Sequence, residues 1–286
     1  MAKLLRLAFF LTFLFPATVI FGENAITVST QFNSYTLKKV TDFAEFSTET
    51  NISHIKAQIA DSNFKHGVDH LHYDPDKVVW GRININNTLT EETYWYLNIG
   101  GLVEEMDMFL VDQTTGNVVW QQKAGIDIPL DKKEVQVGRT EIVKFPLIPE
   151  VPVRLYIRFN LKSNFSKQLF SYNTENFNLY NEKSYKWNFE MGRSFNTFFY
   201  GAILMMLIYN MMLAANLKSK GYLYYIIYVS TFLTFNIFLD GIVYEDFLRN
   251  FSRNAQQVRI IVAPIVLCSF IQFTRVYLKT SVYLPK

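Results

Sequence analysis

Phe198-Phe199-Tyr200-Gly201-Ala202-Ile203-Leu204-Met205-Met206-Leu207-Ile208-Tyr209-Asn210 is the stretch that decides the architecture. It lies within an uncharged segment, 195–215, which at about 1.5 Å per helical residue crosses a hydrocarbon core of about 30 Å. Before Arg193 the chain is polar and patterned for strands, and after it the chain is apolar. One polypeptide therefore meets water with its first part and lipid with its second, the arrangement of a protein that carries a signal or a solute across a membrane.

Working downstream, Leu217-Lys218-Ser219-Lys220-Gly221 reads as a tight basic loop. A second span follows at about 222–239, with tyrosines placed for the lipid interface. Residues 240–258 form a polar connection. A third span is expected at about 259–278, interrupted by Pro264, Gln272 and Arg275, of which Arg275 can snorkel to the interface. With the N-terminal part outside, Lys218 and Lys220 face the cytoplasm and the third span returns inward near Arg275 and Lys279, which satisfies the positive-inside rule. No Asp, Glu or Lys sits centrally in a span, so an ion or proton pathway lacks a carrier and a transporter is disfavoured. Three helices and no cytoplasmic domain lead to the expectation of a partial membrane domain, from a fragment or a truncated gene.

Working upstream, Lys3 and Arg6 precede the apolar run 7–15 and Pro16, the n-region and h-region of a secretory signal with cleavage near Gly22 or Ala25. Half of the 286 residues are hydrophobic and 19% are charged, but the apolar ones cluster at the start and in the last third, so local composition decides the class. A formal charge of +3 without a Lys/Arg block excludes nucleic acid as a natural partner. Export permits disulfides, yet the single cysteine, Cys268, lies in the last apolar run. The exported part must therefore be held by its own core.

From 25 to 180 apolar residues recur with period two. Val79, Ile83 and Ile85 share one face of a strand, while Trp80, Arg82 and Asn84 share the other. Trp95, Leu97 and Ile99 alternate with Tyr94, Tyr96 and Asn98, and Val153, Leu155, Ile157 and Phe159 alternate with Arg154, Tyr156 and Arg158. Thr114-Thr115-Gly116-Asn117 turns the 106–111 strand back into Val118-Val119-Trp120. Many short strands imply two packed antiparallel sheets. A single helix is expected at 54–64, covering a sheet edge or end.

The order of motifs resembles a bacterial family, the seven-transmembrane receptors with diverse intracellular signalling modules. In the exported half it is carried by Val78-Val79-Trp80-Gly81-Arg82-Ile83 with Asn86, by Tyr94-Trp95-Tyr96-Leu97, by Met106-Asp107-Met108-Phe109-Leu110, by Gly125 and Arg139, and by Leu155-Tyr156-Ile157-Arg158. In the membrane half it is carried by Gly201, Ile208-Tyr209-Asn210, Gly221-Tyr222-Leu223-Tyr224-Tyr225 and Asp240-Gly241. The resemblance implies a type 2 extracellular domain, a jelly-roll sandwich similar to carbohydrate-binding modules. It further implies a seven-helix membrane domain relaying occupancy to a cytoplasmic kinase, cyclase or diguanylate cyclase.

The expected division is a signal peptide at 1–22, a sandwich sensor at 23–185, a juxtamembrane joint at 186–194 and a partial multi-helix membrane domain at 195–286. Aromatic plates beside arginines can stack on a sugar ring and donate hydrogen bonds to hydroxyls or a carboxylate. The ligand-binding candidates are therefore Trp80, Arg82, Tyr94, Tyr96, Tyr156 and Arg158, with Asp107 and Arg139 from the motif stretches. The competing reading of the same residues is a second buried face with a structural ion-pair network. For coupling within the membrane the candidates are Tyr209, Asn210, Tyr224 and Tyr225, which can hydrogen-bond between helices or serve as packing.

The cluster His66-Gly67-Val68-Asp69-His70-Leu71-His72 fits no standard metal spacing and reads as a loop, so no metal or other cofactor is expected. Nucleophile-elbow, zincin and phosphate-loop motifs are missing from the sequence, and Glu104-Glu105 would point to opposite faces of a strand, so catalysis is not expected. The expectation is a multi-pass receptor of the bacterial inner membrane with its sandwich outside. The alternative is a membrane-tethered carbohydrate-binding or envelope protein without signal output. Expected partners are a small-molecule or glycan ligand, the bilayer, a cytoplasmic signalling module and, as an option, a second copy in a homodimer.

Overall fold

The structure, a computed structural model, describes residues 25–57, 63–74, 76–100, 103–129, 132–135, 141–163, 167–168, 170, 177–241 and 252–279. The expected signal peptide and Arg139 lie outside the described residues. Among the described residues eleven strands appear, in the order β1 (Ala25–Val28), β2 (Ser34–Thr36), β3 (Thr41–Ser47), β4 (Lys65–His66), β5 (Lys77–Asn87), β6 (Thr93–Ile99), β7 (Glu105–Asp112), β8 (Val118–Ala124), β9 (Glu141–Leu147), β10 (Val153–Asn160) and β11 (Asn178–Asn181). A short helix, α1 (Ile52–Ala57), falls between β3 and β4.

The strands form two sheets. The larger runs β4-β3-β5-β10-β7-β8 and the smaller runs β2-β11-β6-β9. Every ladder is antiparallel except β1 with β5. The 11 residues of β5 make that exception possible. Residues 77–83 pair with β3 and residues 84–87 pair with β1, so one long strand serves two short ones.

The alternation read from the sequence sorts the faces. Val79, Ile83, Ile85, Met106, Met108, Leu155, Ile157 and Phe159 of the larger sheet meet Trp95, Leu97, Ile99, Val143, Phe145 and Leu179 of the smaller in one core. Burying such side chains contributes about 1.5–3 kcal/mol each, and this core holds a domain that has no cystine. Gly125 closes β8 with a φ of +122°, and a Cβ there would stand 2.5 Å from the Glu104 carbonyl oxygen, so only glycine fits that approach.

The β7–β8 hairpin carries its own electrostatic lock. Asp112 Oδ1 accepts from the Thr114 backbone N–H at 2.7 Å and from its hydroxyl at 2.6 Å, while Oδ2 accepts from the Thr115 hydroxyl at 2.8 Å. These bonds favour the carboxylate and hold its pKa at about 2, below the ordinary 3.8. A depressed folded-state pKa contributes stability that is fully present above the unfolded value and is lost as pH falls through the folded one. Urea midpoints of the wild type should therefore fall more steeply than those of Asp112→Asn between pH about 4 and about 2. Parallel curves would show that the turn contributes nothing to acid stability.

Two expectations change. The helix expected at 54–64 starts earlier, at Ile52, with the Asn51 side chain accepting from His54 N–H at 3.1 Å; it is described as far as Ala57, residues 58–62 lie outside the described residues, and Phe64 is not helical. The His66–His72 stretch is not loop throughout, because Lys65 and His66 pair with Phe43 and Asp42 as β4.

After β11 the chain becomes helical without a linker. We designate Glu182–Leu217 as α2, Lys220–Leu239 as α3 and Ser252–Tyr277 as α4. Asn181 is at once the last residue of β11 and the N-cap of α2, its side chain accepting from Ser184 N–H at 2.8 Å. Within α2, Lys186–Met191 is wound as a π-helix. α2 and α3 are long and apolar enough to cross a membrane. α4 contains the expected third span as far as Tyr277, and Pro264 sits inside that helix.

Candidate functional site

The sequence-derived candidates divide between opposite sides of the sandwich. On the outer face of the larger sheet, Trp80, Tyr156, Val78 and Val111 are buried under Ile55 of α1, with Phe46, Phe64 and Phe109 packed around them. Trp80 stacks on Phe109 at 6.1 Å between centroids. Arg82 is only 8% exposed and bonds Asp42 through Nη2 at 2.9 Å, and its guanidinium lies 4.6 Å from the Phe64 ring centre. Arg158 pairs with Asp107 at 3.3 Å and donates to the Thr48 carbonyl at 2.7 Å. Register explains the grouping, because Arg158 lies opposite both Trp80 and Asp107. Trp80, Arg82, Asp107, Tyr156 and Arg158 thus form a covered aromatic layer laced with ion pairs.

Tyr94 and Tyr96 lie elsewhere, on the outer face of the smaller sheet. Tyr96 stacks on Tyr185 of α2 with 4.0 Å between ring centres and 4° between planes. Phe189, one turn further, meets Tyr185 at 5.4 Å and Tyr180 of β11 at 5.6 Å. These residues with Ile142 make a separate buried cluster, and burial pushes the Tyr96 and Tyr180 phenols above their usual range. Tyr96 is therefore the seat of the membrane helix on the sandwich.

Tyr94, 45% exposed, has Lys144 Nζ 4.1 Å from its ring centre. It borders a cleft of about 360 Å³ at the seam where sandwich and helix join. Thr30 follows β1 on one side, Glu92 precedes β6 on another, and Asn181, Glu182 and Lys183 close it from the first turn of α2. Its lining includes hydroxyl residues, Glu92, Lys183 and the Tyr94 ring, while the Asn181 amide is taken by Asn33 and Ser184 and Glu182 pairs with Lys186.

The membrane candidates are not brought together. Tyr209 is 61% exposed, and Asn210 donates to the Met206 carbonyl of its own helix at 2.8 Å. Tyr225 meets Met206 Sδ at 3.6 Å and the Phe273 ring at 5.5 Å, while Tyr224 is half-buried and joins none of these contacts. Tyr225 thus links α3 to α2, and further polar links between helices lie at other residues. Asn196 donates to Asp240 Oδ2 at 2.8 Å, the Tyr200 hydroxyl donates to the same oxygen, and Thr231 meets Ser269 at 2.8 Å. Sequence reasoning missed Asn196, Tyr200 and Thr231. The available signal was the short Lys218-Ser219 turn, since counting equal distances along both helices sets Asp240 level with Asn196.

The histidine stretch is structural in its contacts. His66 Nδ1 stands 3.7 Å from Asp42, His70 Nε2 lies 2.9 Å from the Phe43 carbonyl, and the His72 backbone N–H donates to Glu45 at 3.1 Å. Among the described residues no group of three metal-ligating side chains is assembled.

A water-facing sandwich that continues unbroken into bilayer-length helices has the build of a membrane receptor. The family described as 7TMR-DISM extracellular 2 matches residues 38–172, and that described as 7TM diverse intracellular signalling matches residues 193–286. The chain belongs to the seven-transmembrane receptors with diverse intracellular signalling modules, and is a membrane protein with an extracellular domain and a signalling role. No match is found among curated proteins.

Proposed function

We propose that the chain is a multi-pass receptor of the bacterial inner membrane, exported by its N-terminal leader. Its jelly-roll-like sandwich binds a small polar molecule, a carbohydrate in the first instance, at the seam cleft. The spans then relay occupancy to a cytoplasmic output module, and the chain itself performs no catalysis. The observation that carries this reading is the continuity of β11 and α2 through Asn181. A ligand beside Tyr94 and Glu92 also touches Glu182 and Lys183, so it contacts the sandwich and the root of the span together. Only such differential contact lets occupancy favour one arrangement of the span over another.

The test is a thermal-shift and calorimetric screen of the full chain in detergent against neutral sugars, amino sugars and uronic acids. Tyr94→Ala and Glu92→Gln should each weaken the binding of a hit by at least about tenfold, the effect of about 1.4 kcal/mol, with unchanged melting of the ligand-free protein. Binding that survives both substitutions would place the site elsewhere. No hit among these sugars would remove carbohydrate as the ligand class.

A further inference from the structure

Much of the polar lining of the seam cleft is already engaged within the protein. Asn181 donates its amide to Asn33 at 2.7 Å and accepts from Ser184 N–H at 2.8 Å, and Glu182 faces Lys186 at 2.7 Å. The Thr93 hydroxyl accepts from the Trp95 indole at 3.1 Å, and Trp95 and Leu89 are buried apolar side chains. Lys144, beside the Tyr94 ring, pairs with Glu134 at 3.6 Å. What the lining leaves open is Glu92, Lys183 and the hydroxyls of Ser29 and Thr30. Among the described residues neither Glu92 nor Lys183 has an ion pair or a side-chain hydrogen bond.

These two opposite charges belong to different bodies. Glu92 directly precedes β6 of the smaller sheet, whereas Lys183 lies in the first turn of α2. The start of a helix adds partial positive charge on the Lys183 side, where the Glu182 carboxylate is matched by Lys186. The cleft is thus negative towards the sandwich and positive towards the helix root. A neutral molecule entering it takes water from both charges and returns a full charge to neither, and a singly charged one matches one wall only. A molecule carrying both an ammonium and a carboxylate matches the two together. At about 360 Å³ the cleft is near the lower end of small-molecule sites, so it takes one monomer rather than a chain.

We propose that the seam cleft selects a zwitterionic monomer, an amino-sugar acid or an amino acid, with its ammonium on Glu92 and its carboxylate on Lys183. The Tyr94 ring supplies a plate for the carbon skeleton, and the Ser29 and Thr30 hydroxyls meet hydroxyl groups that it carries. This inference deepens the receptor reading and rests on the seam cleft being its site. A zwitterion held in this way bridges sandwich and helix root by one charge at each end.

The experiment is titration calorimetry of the full chain in detergent with glucosaminuronic acid and with alanine. Each is set beside its relatives without the amine (glucuronic acid, propionate) and without the acid (glucosamine, ethylamine), and glucose is the neutral reference. At least one zwitterion should bind at least about tenfold more tightly than both of its relatives, the effect of one charge-assisted contact. Glu92→Gln should erase the advantage over the amine-free relative, and Lys183→Met the advantage over the acid-free one. Both side chains are exposed, so melting of the ligand-free protein should not change. Binding without regard to charge, or an advantage that survives both substitutions, overturns the proposal. Glucose binding that Tyr94→Ala abolishes, with the zwitterions no tighter, also overturns it and leaves the carbohydrate reading in place. Alanine bound with the charge preference and no sugar bound supports the proposal and removes carbohydrate as the ligand class. No binding by any member of the series overturns both.

Discussion

Arg82→Met is expected to lower the stability of the sandwich by about 3–5 kcal/mol, the usual consequence of stripping one member from a buried ion pair. Asp42 is 3% exposed and faces Arg82 at 2.9 Å, with His66 further away at 3.7 Å. Without the guanidinium the buried carboxylate loses its partner at 2.9 Å and keeps the half-exposed His66 imidazole at 3.7 Å. The Phe64 ring also loses the cation lying over it. Removing both charges, as Asp42→Leu with Arg82→Met, should recover most of the loss, because two apolar side chains in a covered layer carry no desolvation penalty. Chemical denaturation of the two single variants and the double variant measures the coupling. If Arg82→Met melted normally and lost only ligand binding, the outer face of the larger sheet would be a recognition surface after all.

The second large effect is expected at the seat of the helix. Tyr185→Ala removes the ring stacked at 4.0 Å on Tyr96 and also deprives Phe189 of a neighbour. Truncation of a buried aromatic side chain costs about 3 kcal/mol or more, and the stacked geometry adds about 0.5–1.5 kcal/mol. The loss should fall on the union of helix and sheet rather than on the sandwich, whose main core does not include Tyr185. Hydrogen exchange should therefore rise in β11 and the first turns of α2 while β5 and β10 remain protected. Uniform loss of protection would mean that sandwich and helix root unfold as one unit.

The strand faces were legible in the sequence because each depends on alternation within a few residues. Val79, Ile83 and Ile85 point to the main core and Trp80 and Arg82 away from it, as the period of two requires. What covers the far face was not legible. Trp80 is roofed by Ile55 and Phe64, and Tyr96 by Tyr185, pairings set by tertiary contact rather than by local pattern. An outward aromatic therefore reads the same whether it awaits a sugar, a helix or a structural lid. Of the candidate plates, only Tyr94 stays open at the cleft. The parallel β1 was hidden for a related reason, because four residues without a hairpin turn carry no signal of which strand they will join. The spans were legible from length and composition, but the π winding was not, since Lys-Trp-Asn-Phe-Glu-Met departs from no α-helical pattern.

The double role of Asn181 as strand end and helix cap bears on how such receptors exchange parts. A domain on a flexible tether can be replaced by any other of similar size. Here the residue count from Leu179 in the sheet to Asn196 beside α3 sets the angle at which the first span enters the bilayer. Hybrids that graft a foreign sensor onto these helices should work only in a repeating subset of junction lengths, spaced by the helical period. The inheritable unit is then the sensor together with the root of its span.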